Sequence, residues 1–298
     1  MNENIYFSVI FPTNNRAADV DETLSQIQKS TYKNYEVIII DNNSTDNTFE
    51  VSKKYNFVRY FKNNFNNHIV AARNQAIKEA KGKIIFSIDD DSFPSIFAME
   101  KAYEVFEKNE DIGLISCGIK NYKIFKNEIN NQDEQGKNLK FSETLTWSGC
   151  GGFFRKNIYN KYGPWDESGI NSFYELLTCL WTLRENMKIY NYENIYVYHK
   201  VSDGGVGADL RGNDLMRIDE FYANSFFIIK YYDYIKLIKK MIEIISVISC
   251  ATIEQRTTVY LKSYIKLLKN IKIILKNRKE YPSEITSKIR LSFNFIGK

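Results

Sequence analysis

The sequence predicts an α/β protein, a mostly parallel sheet flanked by helices, followed by a C-terminal helical extension. Three observations carry this. Apolar, β-branched runs alternate with amphipathic segments from Tyr6 to Cys117. Polar clusters fall at the ends of three of those runs. From Met216 onward the pattern turns helical, aromatic and basic.

Taken in order, Tyr6 to Phe11 reads as a strand and Ala18 to Lys29 as a helix. Glu36 to Ile40 is a strand ending at Asp41, and a helix follows from about Thr45 to Tyr55. Phe57 to Phe61 is a short strand, Ile69 to Ala80 a helix, and Lys83 to Ile88 a strand. Pro94 suits the first turn of a helix that continues to about Glu107. Ile112 to Cys117 closes the series. Repeated strand–helix units of this kind imply a parallel sheet. Asn121 to Lys140 is polar and aperiodic, a loop long enough to be functional or mobile. The close glycines of TWSGCGGFFRK allow a tight turn or a close backbone approach. Ser172 to Asn186 reads as a helix carrying Glu175, and Lys188 to Tyr198 as two short strand-like pieces ending at His199.

Composition bounds the class. A chain of 298 residues, 44% hydrophobic and 15% aromatic, buries a large core and is too apolar for disorder. Four cysteines, Cys117, Cys150, Cys179 and Cys250, form no CxxC pair, which suits a reducing cytosol better than a disulfide framework. The start, MNENIYFSVIF, has no basic region before its apolar run, so no signal peptide is expected. No uncharged apolar run reaches spanning length; Met241 to Ile253 is short and contains Glu243. The net charge of +5 is uneven: Leu215 to Lys298 holds 16 basic against 7 acidic residues. Two regions follow, 1–214 and 215–298.

In open α/β sheets, ligands bind beyond the carboxyl ends of the strands. Pro12-Thr13, Asp41-Asn42-Asn43 and the triplet Asp89-Asp90-Asp91 all fall there. Three adjacent carboxylates repel one another, and a divalent cation relieves that cost. Mg²⁺ and Mn²⁺ are held by one or two carboxylates together with a substrate's phosphates. A solvated acidic turn is the plainer alternative for the triplet. No GxGxxG or GxxxxGK[ST] loop is present, which disfavours dinucleotide-dependent dehydrogenases and P-loop NTPases.

FPTNNR, VIIIDNNSTDNT, AARNQAI, FSIDDDS and WSGCGGFFRK, in this order, resemble family 2 glycosyltransferases. The likeness covers roughly residues 5 to 200 and implies a GT-A-type, Rossmann-like sheet. It also implies an inverting enzyme that uses a nucleoside-diphosphate sugar with Mn²⁺ or Mg²⁺. By the resemblance, Pro12 and Thr13 make the first nucleotide contacts, Asp41 binds a uracil or thymine base, and Arg73 lies by the nucleotide. Asp89 faces the ribose, and Asp90 belongs to the donor set without a specific task. Asp91 holds the metal, with His199 of YVYHK as a further ligand. Glu175 stands where the family carries an acidic pair and would be the catalytic base; Asp166 and Glu167 are rival carboxylates. Trp147, Trp165, Gly151 and Gly152 border the expected acceptor side. His68 receives no role. The acceptor is expected to be a glycan or a lipid-linked oligosaccharide of surface polysaccharide synthesis.

Two alternatives remain at this stage. One is a sugar nucleotidyltransferase, although FPTNNRAAD lacks the glycine-rich signature expected there. The other is a non-catalytic nucleotide-sugar or glycan-binding module. In the C-terminal region, Lys262, Lys266, Lys269, Lys272 and Lys276 form one helical stripe. Leu261, Tyr264, Leu267, Leu268, Ile271, Ile274 and Leu275 face roughly the other way, with Ile265 and Ile273 blurring the division. Such a helix is either a solvated face over a packed one or a peripheral contact with anionic lipid. A nucleic-acid partner is not expected, and the expected location is cytoplasmic, at the inner face of the membrane.

Overall fold

The computed structural model describes residues 5–125, 140–167 and 173–200, together with 225–226, 229–232, 259–276, 278, 281 and 286. Most of the loop expected over Asn121–Lys140 lies outside the described residues. So do the start of the helical region at Met216, the Met241–Ile253 run and Cys250. The chain divides into two compact units, Met1–Val201 and Ser202–Lys298.

The first unit is built on one nine-stranded sheet. Its parallel half consists of β1 (Phe7–Thr13), β2 (Tyr35–Asp41), β3 (Val58–Lys62) and β4 (Ile84–Ile88), in the order β3-β2-β1-β4. The crossovers carry α1 (Ala17–Gln28), α2 (Thr48–Ser52) and α3 (Ile69–Glu79). Every residue of β1 and β4 is buried. Strands covered on both faces read as unbroken apolar runs, and that is the signal VIF and IIF gave.

Beyond β4 the sheet changes character. Strand β8 (Gly151–Arg155) runs antiparallel to both β4 and β6 (Ile112–Asn121). Phe153 of β8 stacks on Phe86 of β4 with ring centres 3.8 Å apart, joining the halves of the core. Strand β9 (Lys188–His199) lies parallel to β6, and β5 (Ser92–Pro94) and β7 (Phe141–Glu143) pair antiparallel to β9. The two strand pieces expected over Lys188–Tyr198 are one strand, whose pairing with β6 shifts register at Ile112/Leu114 and again at Cys117/Gly118.

Pro94 is a correction. It ends β5 opposite Val197, and the helix α4 begins later, at Ala98 (Ala98–Lys108). Proline lacks an N–H, so Ser95 supplies the next bond, to the Tyr196 carbonyl at 3.0 Å. Three short helices complete the described unit, α5 (Tyr122–Phe125), α6 (Lys156–Tyr162) and α7 (Phe173–Arg184).

In the second unit, α8 (Val259–Lys276) is the long element. Leu267 and Ile274 are buried, and Tyr264 and Ile271 are half-buried. Leu261, Ile265, Leu268 and Leu275 are exposed, so only part of the expected apolar face is packed. Lys262, Lys266, Lys269 and Lys272 are exposed beside them. The side chains of Ile273 and Lys276 lie outside the described residues. Among the described residues no helix is long and apolar enough to cross a membrane.

Candidate active site

The Asp triplet leaves β4 in a tight turn, closed by the Ser92 N–H donating to the Asp89 carbonyl at 3.1 Å. Asp90 turns inward. Its carboxylate accepts the Thr13 hydroxyl at 2.8 Å and lies 3.4 Å from Arg16 Nε, while its carbonyl accepts the Thr23 hydroxyl at 2.8 Å. Burial pushes its carboxyl up to about 7, against the opposing pull of Arg16 and Thr13. The middle carboxylate thus ties β1 and α1 to the end of β4.

Asp89 and Asp91 both approach His199, at 4.0 and 3.2 Å from its Nε2. Asp91 Oδ2 lies 2.7 Å from Arg16 Nη2, and its Oδ1 lies 3.2 Å from His199 Nε2. Burial works to raise the Asp91 carboxyl, but the hydrogen bond and charge of His199, together with Arg16, hold it below its ordinary value. The same bond from Asp91 raises His199, against burial. Lys200 fixes this corner by donating its N–H to the Asp91 carbonyl at 3.0 Å and placing Nζ 2.8 Å from Asp19 Oδ1. Asp89 is the more open carboxylate, its side chain 32% exposed against 12% for Asp91, and it pairs with the buried Arg73.

These groups suit a divalent cation. One ligand atom each from Asp89, Cys150 and His199 lie within 4.8 Å of one another. Carboxylate and imidazole are donors that Mn²⁺ accepts, and Asp91 borders the same imidazole.

Glu175 sits in the first turn of α7, half-buried, where its Oε1 accepts the Gly149 N–H at 2.5 Å. Desolvation pushes its carboxyl up to about 7; the Gly149 bond and Arg73 oppose the rise and the charge of Asp89 adds to it. A carboxyl tuned to that range is what general-base chemistry at neutral pH requires. Gly149 has no room for a side chain, since a Cβ there would lie 1.7 Å from the Tyr174 hydroxyl.

Several expected contacts are placed differently. Asp41 is fully buried: Oδ1 accepts the Ser44 N–H at 2.8 Å and the Ser44 hydroxyl at 2.6 Å, and Oδ2 accepts the Tyr60 hydroxyl. It braces the turn after β2 instead of lining an open cleft. Pro12 and Thr13 are buried too, with the Thr13 hydroxyl spent on Asp90 and its carbonyl on the Asn42 N–H at 2.8 Å. Arg73 is completely buried, donating to Ser87 Oγ at 2.6 Å and the Ile88 carbonyl at 3.0 Å, so it supports Asp89 from beneath and touches no open surface. Gly151 and Gly152 lie inside β8, and a Cβ on Gly152 would meet Trp147 Cε3 at 2.3 Å. Trp147 covers that glycine and donates its indole N–H to the Glu175 carbonyl at 2.9 Å. Trp165 is 1% exposed and donates to Thr178 Oγ1 at 3.0 Å. Neither tryptophan offers a free face. His68 caps α3 by accepting the Val70 N–H at 3.3 Å.

Sequence reasoning passed over Arg16, Cys150 and Tyr60. Arg16 stood in FPTNNR, and a lone cation one strand end away from three carboxylates was the available signal. Cys150 was visible between two glycines. Tyr60 left no signal, because its tie to Asp41 exists only through the β2–β3 pairing.

The mixed sheet, with its acidic strand end meeting His199, has the GT-A fold. Residues 8–163 match the profile of the family described as Glycosyl transferase family 2, and the chain belongs to that family. It is 31% identical over 132 residues to UDP-Glc:alpha-D-GlcNAc-diphosphoundecaprenol beta-1,3-glucosyltransferase WfgD of Escherichia coli, covering 44% of this chain and 49% of the relative. In fold it is similar to mannosyltransferase PcManGT from Pyrobaculum calidifontis, solved with GDP-Man and Mn²⁺ (TM-score 0.56, 19% identity, 74% of this chain and 61% of that one). It is likewise similar to S. aureus TarS 1-349 in complex with UDP-GlcNAc (TM-score 0.55, 19% identity, 72% of this chain and 66% of that one). The chain spans less than half the length of the curated relatives it matches.

Proposed function

We propose that the protein transfers a sugar, with inversion, from a UDP- or dTDP-sugar to a hydroxyl of a glycan or lipid-linked acceptor in surface polysaccharide or glycoconjugate synthesis. The observation that carries this reading is the match of residues 8–163 to Glycosyl transferase family 2, with Glu175 held in the first turn of α7 by the Gly149 N–H. The acceptor hydroxyl gives its proton to Glu175 as its oxygen attacks C1 of the donor sugar. The new C1–O bond forms opposite the diphosphate, the bond from C1 to the diphosphate oxygen breaks, and the anomeric configuration inverts. One base suffices for that single displacement.

Asp89 and His199, with Asp91 adjoining, are the residues that would hold Mn²⁺ or Mg²⁺. When bound, the cation neutralises charge on the departing diphosphate. Thr13, Asn42 and Ser44 shape the nucleotide bed, and Asp41 reaches a pyrimidine base once the Tyr60 hydroxyl yields its place. The relative WfgD, named for transfer from UDP-Glc, supports a uridine donor. Region 1–214 is assigned to catalysis. Region 215–298 is assigned to peripheral contact with an anionic membrane, on the strength of the exposed lysines beside Leu261, Ile265 and Leu268.

A thermal-shift screen of UDP-, dTDP-, GDP- and ADP-sugars with Mn²⁺ tests the reading. Stabilisation by a pyrimidine nucleotide is expected, together with Mn²⁺-dependent donor hydrolysis that disappears in Asp91→Ala. No response to any pyrimidine nucleotide would sink it.

A further inference from the structure

The antiparallel register of β4 and β8 ends with Ile88 opposite Gly151. One step further along, Asp89 leaves β4 beside Cys150, which precedes β8. His199 arrives at the same place from β9, where it pairs with Ser92 of β5 and Asn121 of β6. Topology therefore delivers a carboxylate, a thiol and an imidazole to one point, with a ligand atom of each within 4.8 Å of the others.

A buried cysteine usually acts as a small apolar filler. The surroundings of Cys150 are polar instead. Its Sγ is 3.1 Å from the Ser148 hydroxyl, and the Ser92 hydroxyl donates to its carbonyl. The glycines on either side are both pressed against neighbours: a Cβ on Gly149 would strike the Tyr174 hydroxyl at 1.7 Å, and one on Gly151 would meet Val197 Cγ2 at 2.8 Å. The segment is thus wedged between α7 and β9, which fixes where the sulfur sits.

We propose that Cys150 is a ligand of the divalent cation at this site, so that the cation is held by Asp89, His199 and a thiolate. This rests on the metal-assisted reading given above. On coordination the thiol passes its proton to solvent. Thiolate sulfur favours soft and borderline cations, whereas Mg²⁺ requires oxygen. The site therefore favours Co²⁺, Zn²⁺ or Cd²⁺ over Mg²⁺ more strongly than an oxygen and imidazole set alone would.

Titration of the full-length protein with Co²⁺, with and without UDP, reads the bond directly through the near-ultraviolet sulfur-to-cobalt charge-transfer band. The band is expected in the wild type and is expected to vanish in Cys150→Ser, with Co²⁺ still displacing Mn²⁺ as followed by electron paramagnetic resonance. In the wild type alone, Zn²⁺ or Cd²⁺ and not Mg²⁺ should protect Cys150 from alkylation, a readout that does not depend on a variant folding. Co²⁺ binding without the band, or a band that survives in Cys150→Ser, overturns the thiolate ligand and leaves the metal reading intact. Absence of any Mn²⁺ or Co²⁺ binding, with or without UDP, overturns both.

Discussion

Arg16 places its Nη2 2.7 Å from Asp91 Oδ2, and its Nε 3.4 Å from Asp90 Oδ1. A fixed guanidinium thus shares the acidic strand end with any cation that enters it. Like charges compete, and the cost is moderated because the Arg16 side chain is 40% exposed. Arg16→Met should tighten Mn²⁺ binding to the nucleotide-free protein, on the order of tenfold for about 1.4 kcal/mol of relieved repulsion. Mn²⁺ titration by electron paramagnetic resonance measures it, and weaker binding would show that Arg16 organises the site instead of competing for it.

Glu175 governs the second expectation. On the proposed mechanism its carboxyl, pushed up to about 7 by burial, acts as the base only when deprotonated. Turnover of a pyrimidine nucleotide-sugar should therefore rise with pH through about 7 and then level off. Glu175→Gln should lower kcat by about 10²- to 10⁴-fold with donor affinity kept, and should abolish that limb of the profile. A pH profile unchanged in the variant would remove Glu175 from the role.

Stability should also depend on pH. Asp90 and Glu175 rise from 3.8 and 4.5 to about 7 on folding, and His199 rises above 6.5. Across roughly pH 5 to 7 the folded chain therefore holds more protons than the unfolded one, so stability falls as pH increases. Thermal melting in EDTA should give a lower Tm at pH 8 than at pH 5.5. Asp90→Asn should flatten that slope, and a Tm that climbs over the same window would contradict the burial of these groups.

Gly152 supplies a mechanical test. A methyl group there meets the Trp147 ring at 2.3 Å. Because overpacking a filled core typically costs about 1–3 kcal/mol, Gly152→Ala should lower the urea midpoint accordingly. Trp147→Leu in the same chain should recover part of the loss. Unfolding curves of the two variants decide it.

What the sequence disclosed and what it hid divide along one physical line. VIF, VIII and IIF are local patterns, and their burial on both faces was readable from residue type alone. The Asp triplet was readable because its three members are adjacent. Pairings between distant segments were not. Nothing near Pro94 announces that Val197 will lie opposite it, and nothing in GGFFR announces a strand that runs against β4. For the same reason Asp41 looked available, although Tyr60 and Ser44 occupy its oxygens. Arg73 was expected by the nucleotide through the resemblance of AARN alone; its burial against Ser87, Ile88 and Asp89 depends on the β4 pairing and left no local signal.

Strand β9 reaches His199 only after pairing with β6 and β5. On a growing chain, Asp89 and Cys150 emerge long before the imidazole that completes their set. A translation product halted ahead of residue 199 would carry Asp89, Cys150 and Glu175 without the imidazole. On the proposed reading, the cation centre is complete only once β9, the last described strand in chain order, has paired.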